Sequence, residues 1–485
     1  MFCKKIGFAA NIHQKVMTQP QQGQQMMFRP LMRRLVPAIM AALASQAALS
    51  APLTFSQCVS IALQQNPDIA DSTEQVNAAK AGLRQANGYR MPKLTASLIG
   101  TETNDALNAF GLKLAQRGAT FNDFGASQFT GPGALSIAPA NLNYPGVVHN
   151  FDTRVELDIP VYTGGMIDGG IRQAREYIAA AENGDKAARQ QVIFNLLQAW
   201  EGVNAARAYL DVARQAETAS RSMLTMMQNM AKGGTVVKSD LLLAQVRLQD
   251  VLVQKTQAEN AVAGALDQLH MLMGIPLDQS LDVGPEVNVS PVTTPLIDLQ
   301  RAAQENNPGI IALRHQAAAD SASIEMARSA RLPQVGLMVR QDWNDPNLGF
   351  SSNSWTIGGN VSWTAFDGGI TRGKIDQAEA SHNQALARLA RAEAGVAMQV
   401  ADARRKAAEA EQRLTEREMA VTQVEEAARL VNKRYAGGVA TITEQLGAQA
   451  ELDKARADVV AARYDLAVQR ARLKLTTGQL DPDSL

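Results

Sequence analysis

Cysteine is nearly missing from this 485-residue chain: Cys3 and Cys58 are the only two. Cys3 falls in a segment expected to be removed, which leaves Cys58 as the single thiol and excludes an intrachain disulfide. Neither cysteine follows a lipoprotein acylation pattern, so no N-terminal lipid is expected. An excess charge of one sign is also missing. With 47 basic and 47 acidic residues the formal charge is zero, and nothing global favours nucleic acid. Aromatic residues are scarce at 5%, while alanine is abundant, which suits long, closely packed helices better than a large globular core. The five histidines have no metal-ligand spacing, and no Ser/His/Asp or paired-carboxylate arrangement stands out. Metal, cofactor and catalytic residues are therefore not expected, and the chain does not read as an enzyme. Proline is missing from two long stretches, between Pro160 and Pro276 and between Pro346 and Pro482.

What is present is said twice. Asn66-Pro67 returns as Asn307-Pro308 and Arg90-Met91-Pro92 as Arg331-Leu332-Pro333, both at an offset of 241. Tyr162-Thr163-Gly164-Gly165 then matches Phe366-Asp367-Gly368-Gly369, and Lys232-Gly233-Gly234 matches Ala436-Gly437-Gly438, at an offset of 204. The first copy thus carries about 37 extra residues between Pro92 and Tyr162. A repeat this long indicates a duplicated architectural unit and not a short-period solenoid. In this register Cys58 occupies the slot of Leu299, which points to a small buried hydrophobe.

The N-terminus reads as an export signal over residues 1–51. Arg29, Arg33 and Arg34 precede an apolar run from Leu35 to Ala44, followed by small residues through Ala51. The run is about half of what a spanning helix needs. Residues 1–25 look unlike any signal region, so translation is expected to start at Met26, Met27 or Met32. The first unit then covers 52–290 and the second 291–485.

Each proline gap reads as helix. In the second, apolar residues fall at 375, 378, 382, 385, 389, 392 and 396, then after a four-residue step at 400, 403, 407, 410 and 414. His382 is the weak member. This is a coiled-coil heptad with a stutter. Each gap is interrupted once by a double glycine, Gly233-Gly234 and Gly437-Gly438, where a hairpin tip is expected because glycine tolerates the left-handed backbone of a helix end. The arm before each tip is roughly 60 residues, about 90 Å at about 1.5 Å per residue.

Before each long hairpin the period changes to two. Phe151, Thr153, Val155, Leu157, Ile159 and Val161 alternate with Asp152, Arg154, Glu156 and Asp158, and Trp355, Ile357, Val361 and Trp363 alternate with polar residues. With segments near Leu94–Leu98 and Val335–Trp343 this makes four strands in two hairpins. The extra residues of the first hairpin read as a long loop rich in Gly, Pro and Asn. Four strands cannot close a barrel, and the charged face of Asp152, Arg154, Glu156 and Asp158 suits neither lipid nor a dry core. The physical solution is a barrel with a polar lumen shared among chains. A dimer would give eight strands and a trimer twelve. In such a barrel Trp343, Trp355, Trp363 and Phe366 would form an interfacial aromatic belt.

In its order of export signal, Asn-Pro helix, Arg-X-Pro, strand-loop-strand, Gly-Gly and long helical hairpin, all repeated, the chain resembles the TolC-like outer-membrane factors across essentially the whole mature length. The resemblance implies a fold that is mainly α with membrane β: a homotrimer whose twelve-stranded β-barrel sits in the lipid of a Gram-negative outer membrane and continues as an α-helical barrel through the periplasm. It implies a passive exit duct for efflux or type I secretion, coupled to an inner-membrane pump through a periplasmic adaptor (a membrane fusion protein). It also implies that Gly233, Gly234, Gly437 and Gly438 mark adaptor-docking tips, and that Asp240, Glu444 and Tyr435 lie at a periplasmic constriction. Ala440 and Gly447 stand where a well-known member of the family has a basic gating residue and a second acidic ring residue, so a thinner acidic ring is expected.

Gly368-Gly369-Ile370-Thr371-Arg372-Gly373-Lys374 fits part of a phosphate-binding loop, but Ile375 stands where Ser or Thr must bind magnesium. A strand-to-helix glycine turn explains the stretch. The competing function is a periplasmic coiled-coil scaffold without a barrel, which leaves the four alternating segments unexplained. The cargo is not encoded in any recognisable motif.

Overall fold

Thr54 starts the first helix with a reciprocal box. Its hydroxyl accepts from Gln57 N, and its own N–H donates to the Gln57 side chain at 2.9 Å. The computed structural model describes residues 52–482, and the expected export signal over 1–51 lies outside the described residues. Helices α1 (Phe55–Gln65) and α2 (Pro67–Gly88) lead into β1 (Lys93–Thr103). Helix α3 (Ala106–Ala115), short 3-10 turns and α4 (Ala140–Asn143) then connect to β2 (Val148–Tyr162), α5 (Met166–Lys232) and α6 (Lys238–Met273). The second half runs α7 (Leu296–Asn306), α8 (Pro308–Ser329), β3 (Gln334–Asp345), β4 (Asn353–Ser362), α9 (Ile370–Ala436) and α10 (Ile442–Thr476). The described residues are mainly helical with one small sheet.

The stretch expected as loop holds α3, because Asp105 caps it by accepting from Asn108 N at 2.9 Å. The long arms exceed the expected 60 residues. Helices α5 and α9 each have 67 residues, since each starts directly at a left-handed glycine, Gly165 or Gly369. Every heptad position from 375 to 414 is buried or half-buried. At the tips only the second glycine of each pair is left-handed: Gly234 and Gly438 have φ of 74°, whereas Gly233 and Gly437 have φ of −80° and −85°.

The four strands form one antiparallel sheet in the order β1-β2-β3-β4, so the two halves are joined by the pairing of β2 with β3. The helices stand side by side in the same sense. Helix α2 packs on α5, α5 on α8 and α8 on α9; further along, the order is α6, α5, α10, α9. The open edges coincide, because edge strand β1 continues edge helix α2 and edge strand β4 leads into edge helix α9. Arg456–Glu425, Arg463–Glu418 and Arg470–Glu411 tie α10 to α9 in antiparallel seven-residue steps at 2.8–2.9 Å.

The largest core lies where α1, α2 and α5–α6 meet. Trp200 is buried, meets the Phe55 ring edge-on at 5.7 Å and donates its indole N–H to Pro285 O at 3.0 Å. Cys58 is fully buried with Sγ 3.2 Å from Met273 Sδ, and burial pushes its thiol up to about 12. Leu299 is buried in the equivalent place of the second half.

The repeated Asn-Pro motif has two functions in each half. Asn66 accepts from Asp68 N to cap α2 and donates to Leu272 O at 2.8 Å. Asn307 likewise caps α8 through Gly309 N and Ile310 N, and donates to Thr476 O at 3.2 Å. One asparagine therefore starts one helix and holds the end of another.

Candidate functional site

The sheet has two chemically opposite faces. One row across all four strands is Leu94, Leu157, Val339 and Ile357; the next is Thr95, Glu156, Arg340 and Thr356. Leu94 and Ile357 are 68% and 66% exposed, so the apolar face is bare in the single chain. The polar face pairs its own charges within and across strands. Arg154 donates to Asp342 and Asp152, each at 2.7 Å, and Arg340 donates to Asp342 at 2.8 Å. A charge network on one face and bare aliphatic rows on the other suit a wall with water on one side and hydrocarbon on the other.

The aromatic residues stand at two levels. Trp355 lies on the apolar face near the β3–β4 turn, level with Val155 and Gln341. Trp343 lies at the same end and meets Phe350 edge-on at 5.5 Å. Trp363 and the exposed Phe366 lie at the helix end of β4, where the Trp363 indole donates to Arg331 O at 3.1 Å. Eight residues separate Trp355 from Trp363, roughly 27 Å of extended chain.

The insert between β1 and β2 folds over the turn end of the polar face. Gln116 donates to Asn150 Oδ1 at 3.0 Å and to His149 O at 2.7 Å, and Asn150 donates to Asn344 at 2.9 Å. Ser352 donates to Gln116 O, and Arg117 donates to Asn353 O, so the insert also grips the β3–β4 turn. Lys113 bonds Asp123 at 2.6 Å, and with the Thr120 contacts this holds the Asp123 carboxyl down at about 2.

At the other end, the two hairpin tips share one apolar cluster in which Met227 and Ala244 of the first meet Tyr435 and Ile442 of the second. Tyr435 is buried, and its hydroxyl donates to Met227 Sδ at 2.9 Å. Burial, followed by the nearby Asp240 carboxylate, pushes that hydroxyl above its usual range. Tyr435 and Asp240 are thus brought together, while Glu444 is not part of the pair. Glu444 closes a capping box with Thr441, whose N–H donates to it at 2.7 Å, and these bonds hold the carboxyl below the usual range. Gly233, Gly234, Gly437 and Gly438 are all exposed. Ala440 packs against the tip cluster, and the space beside Gly447 is open.

The phosphate-loop-like turn is occupied by its own chain. Asp367 accepts from Gly369 N at 3.0 Å and Thr371 N at 2.7 Å, filling the place an anion would take. One feature had no signal in the sequence: Glu201, buried on α5, accepts from Val287 N at 2.7 Å. Burial pushes its carboxyl up to about 7 despite that bond, and Glu286 adds to the rise. Only the path of the segment after α6 places Val287 and Glu286 against it.

Residues 58–275 and 299–479 match the family model described as outer membrane efflux protein. The chain is 24% identical over 305 residues to the alkaline protease secretion protein AprF of Pseudomonas aeruginosa, covering 61% of this chain and 63% of that protein. It is 25% identical over 256 residues to the probable efflux pump outer membrane protein SepC of Pseudomonas putida, covering 51% and 53%. The chain therefore spans less than two thirds of the length of these relatives. In fold it is similar to the Campylobacter jejuni CmeC outer membrane channel, with a TM-score of 0.72 at 16% identity, covering 88% of this chain and 85% of that one.

Proposed function

We propose that this chain, which belongs to the outer membrane efflux protein family, is the outer-membrane exit duct of an efflux or type I secretion system. The observation that carries the reading is the two-faced sheet whose open edges, β1 and β4, continue the open edges of the helical wall, α2 and α9. Four strands and four helices side by side make an arc. Three copies supply twelve of each and close both walls together. A homotrimer then stands in outer-membrane lipid with the Leu94 and Leu157 rows outward and the Arg154–Asp342 network lining water. Trp343, Trp355, Trp363 and Phe366 match the two interfaces of an apolar band about 25 Å tall.

The units take the limits 52–290 and 291–485, after an export signal over 1–51. The hairpin tips face the periplasm, dock an adaptor through the flanks of Gly233, Gly234, Gly437 and Gly438, and narrow at Asp240, Glu444 and Tyr435. The duct is passive in this reading: Asp367 already takes the Gly369 and Thr371 N–H groups that a phosphate would use, and energy comes from a separate inner-membrane pump. A periplasmic scaffold would leave the exposed Leu94 and Ile357 rows in water.

Membrane fractionation tests the proposal, with native mass measurement in detergent. The duct resists extraction in high salt, fractionates with the outer membrane and has the mass of three chains. A salt-soluble protein or a stable monomer with intact strands overturns it.

A further inference from the structure

The contact between the two halves inside one chain has an empty counterpart on the outside. Helices α2 and α8 have 22 residues each at an offset of 241, and α5 and α9 have 67 each at an offset of 204, so every position has an equivalent. In the α5–α8 contact, Gly164 and Gly169 allow close approach. A Cβ on Gly164 would lie 2.6 Å from Ser329 O, and one on Gly169 would lie 2.7 Å from Met326 Cγ. Their equivalents on α9's side, Gly368 and Gly373, have nothing within 4 Å. The α8 residues in this contact, Ala319, Ala322 and Ser329, are buried, while their α2 equivalents Ala78, Ala81 and Gly88 are exposed.

Charge repeats the pattern with its sign reversed. Arg172 of α5 pairs with Glu325 of α8. The equivalent positions hold Asp376 on α9 and Arg84 on α2, both exposed and with no partner among the described residues. Two unrelated sequences at these four positions would not be expected to keep opposite charges while exchanging their places. We propose that α9 of one copy seats α2 of a second copy in the manner of α5 and α8, with Arg84 paired to Asp376 across the subunit boundary. The surfaces are different on the two sides, so the contact is head-to-tail and generates a ring instead of an isologous pair. The inference rests on the trimeric reading above and gives that reading its register.

Charge reversal in the full-length protein in detergent tests it. Arg84→Glu and Asp376→Arg should each weaken association by about tenfold summed over three exposed pairs, and the double variant should recover the wild-type value. Gly373→Leu should leave helix content intact but prevent assembly, whereas Gly169→Leu should disturb the subunit itself. If the wild type assembles as a trimer but the double reversal is no better than the single ones, this register is wrong and the trimer stands. A wild type that is monomeric removes the trimer itself.

Discussion

The Tyr435 hydroxyl donates to the sulfur of Met227 at 2.9 Å, one of the contacts that fasten the second hairpin tip to the first. Both side chains are buried, so the tips behave as one packed unit. Replacing Tyr435 with alanine removes an aromatic side chain from that unit, a change that costs about 3–5 kcal/mol in a well-packed site. The tips should loosen, and single-channel conductance in planar bilayers should rise while strand content stays constant. A loosened tip with unchanged conductance would assign Tyr435 to packing alone.

Gly274 and Gly478 are a further pair of sites where glycine is required. Both have left-handed backbones, and a Cβ would lie 2.5 Å from Gln65 O in one case and 2.6 Å from Asn306 O in the other. Strain from the backbone alone is about 1–2 kcal/mol for an L-residue, and the clash adds to it. Gly274→Ala and Gly478→Ala should each lower the melting temperature by several degrees. Gly264→Ala, on α6 with open space around it, should be neutral or slightly stabilising. Equal melting of all three variants would show that the Asn-Pro junctions can shift to make room.

Glu201 makes stability depend on pH in a defined direction. Its folded pKa, about 7, lies above the ordinary value of 4.5, so the folded state binds the proton more tightly. This contribution is fully present below the unfolded pKa and is lost as pH rises through about 7, an effect on the order of 3 kcal/mol. Glu201→Gln keeps an acceptor for Val287 N and removes the charge. Its melting temperature should fall less than that of the wild type between pH 5 and pH 8. Parallel curves for the two proteins would show that Glu201 is solvated well enough to ionise freely.

Local periodicity made the long helices legible, because a heptad stripe and a period-two segment each report which face of their own element is covered. The stripe from Ile375 to Leu414 and the alternation from Phe151 to Val161 both fall where the sequence put them. Features that depend on the path of distant segments were not legible. Nothing in the neighbourhood of Glu201 announces that Val287 will reach it, and nothing local says that Arg463 will meet Glu418. The tip residues are an intermediate case: the double glycines mark the turn, but the burial of Tyr435 needs Met227 from the other half.

In the proposed duct, the insert between β1 and β2 would mark the outer end. Gln116 and Arg117 anchor it at the turn end of the sheet, opposite the helices. Outer-membrane barrels carry their longer loops outside the cell, so protease added to intact cells should cut within residues 104–147 and spare Gly233 and Gly437. Cleavage at the glycine tips with a protected insert would invert the orientation.

Asp240 and Glu444 separate charge from fold at the other end. Glu444 closes the capping box of α10, and Asp240 lies in the first turn of α6, so each favours its helix dipole without any further function. Glutamine also completes a capping box, and asparagine is tolerated in a first turn. Asp240→Asn with Glu444→Gln therefore removes six carboxylates from a trimer's entrance while leaving the helix starts in place. If those carboxylates line the constriction, cation preference in single-channel recordings falls while conductance and strand content hold. Because Ala440 and Gly447 contribute no charge beside them, no other side chain at those two positions can mask the change. Selectivity that does not move would leave both residues as helix-end acids and place the selective constriction elsewhere along the duct.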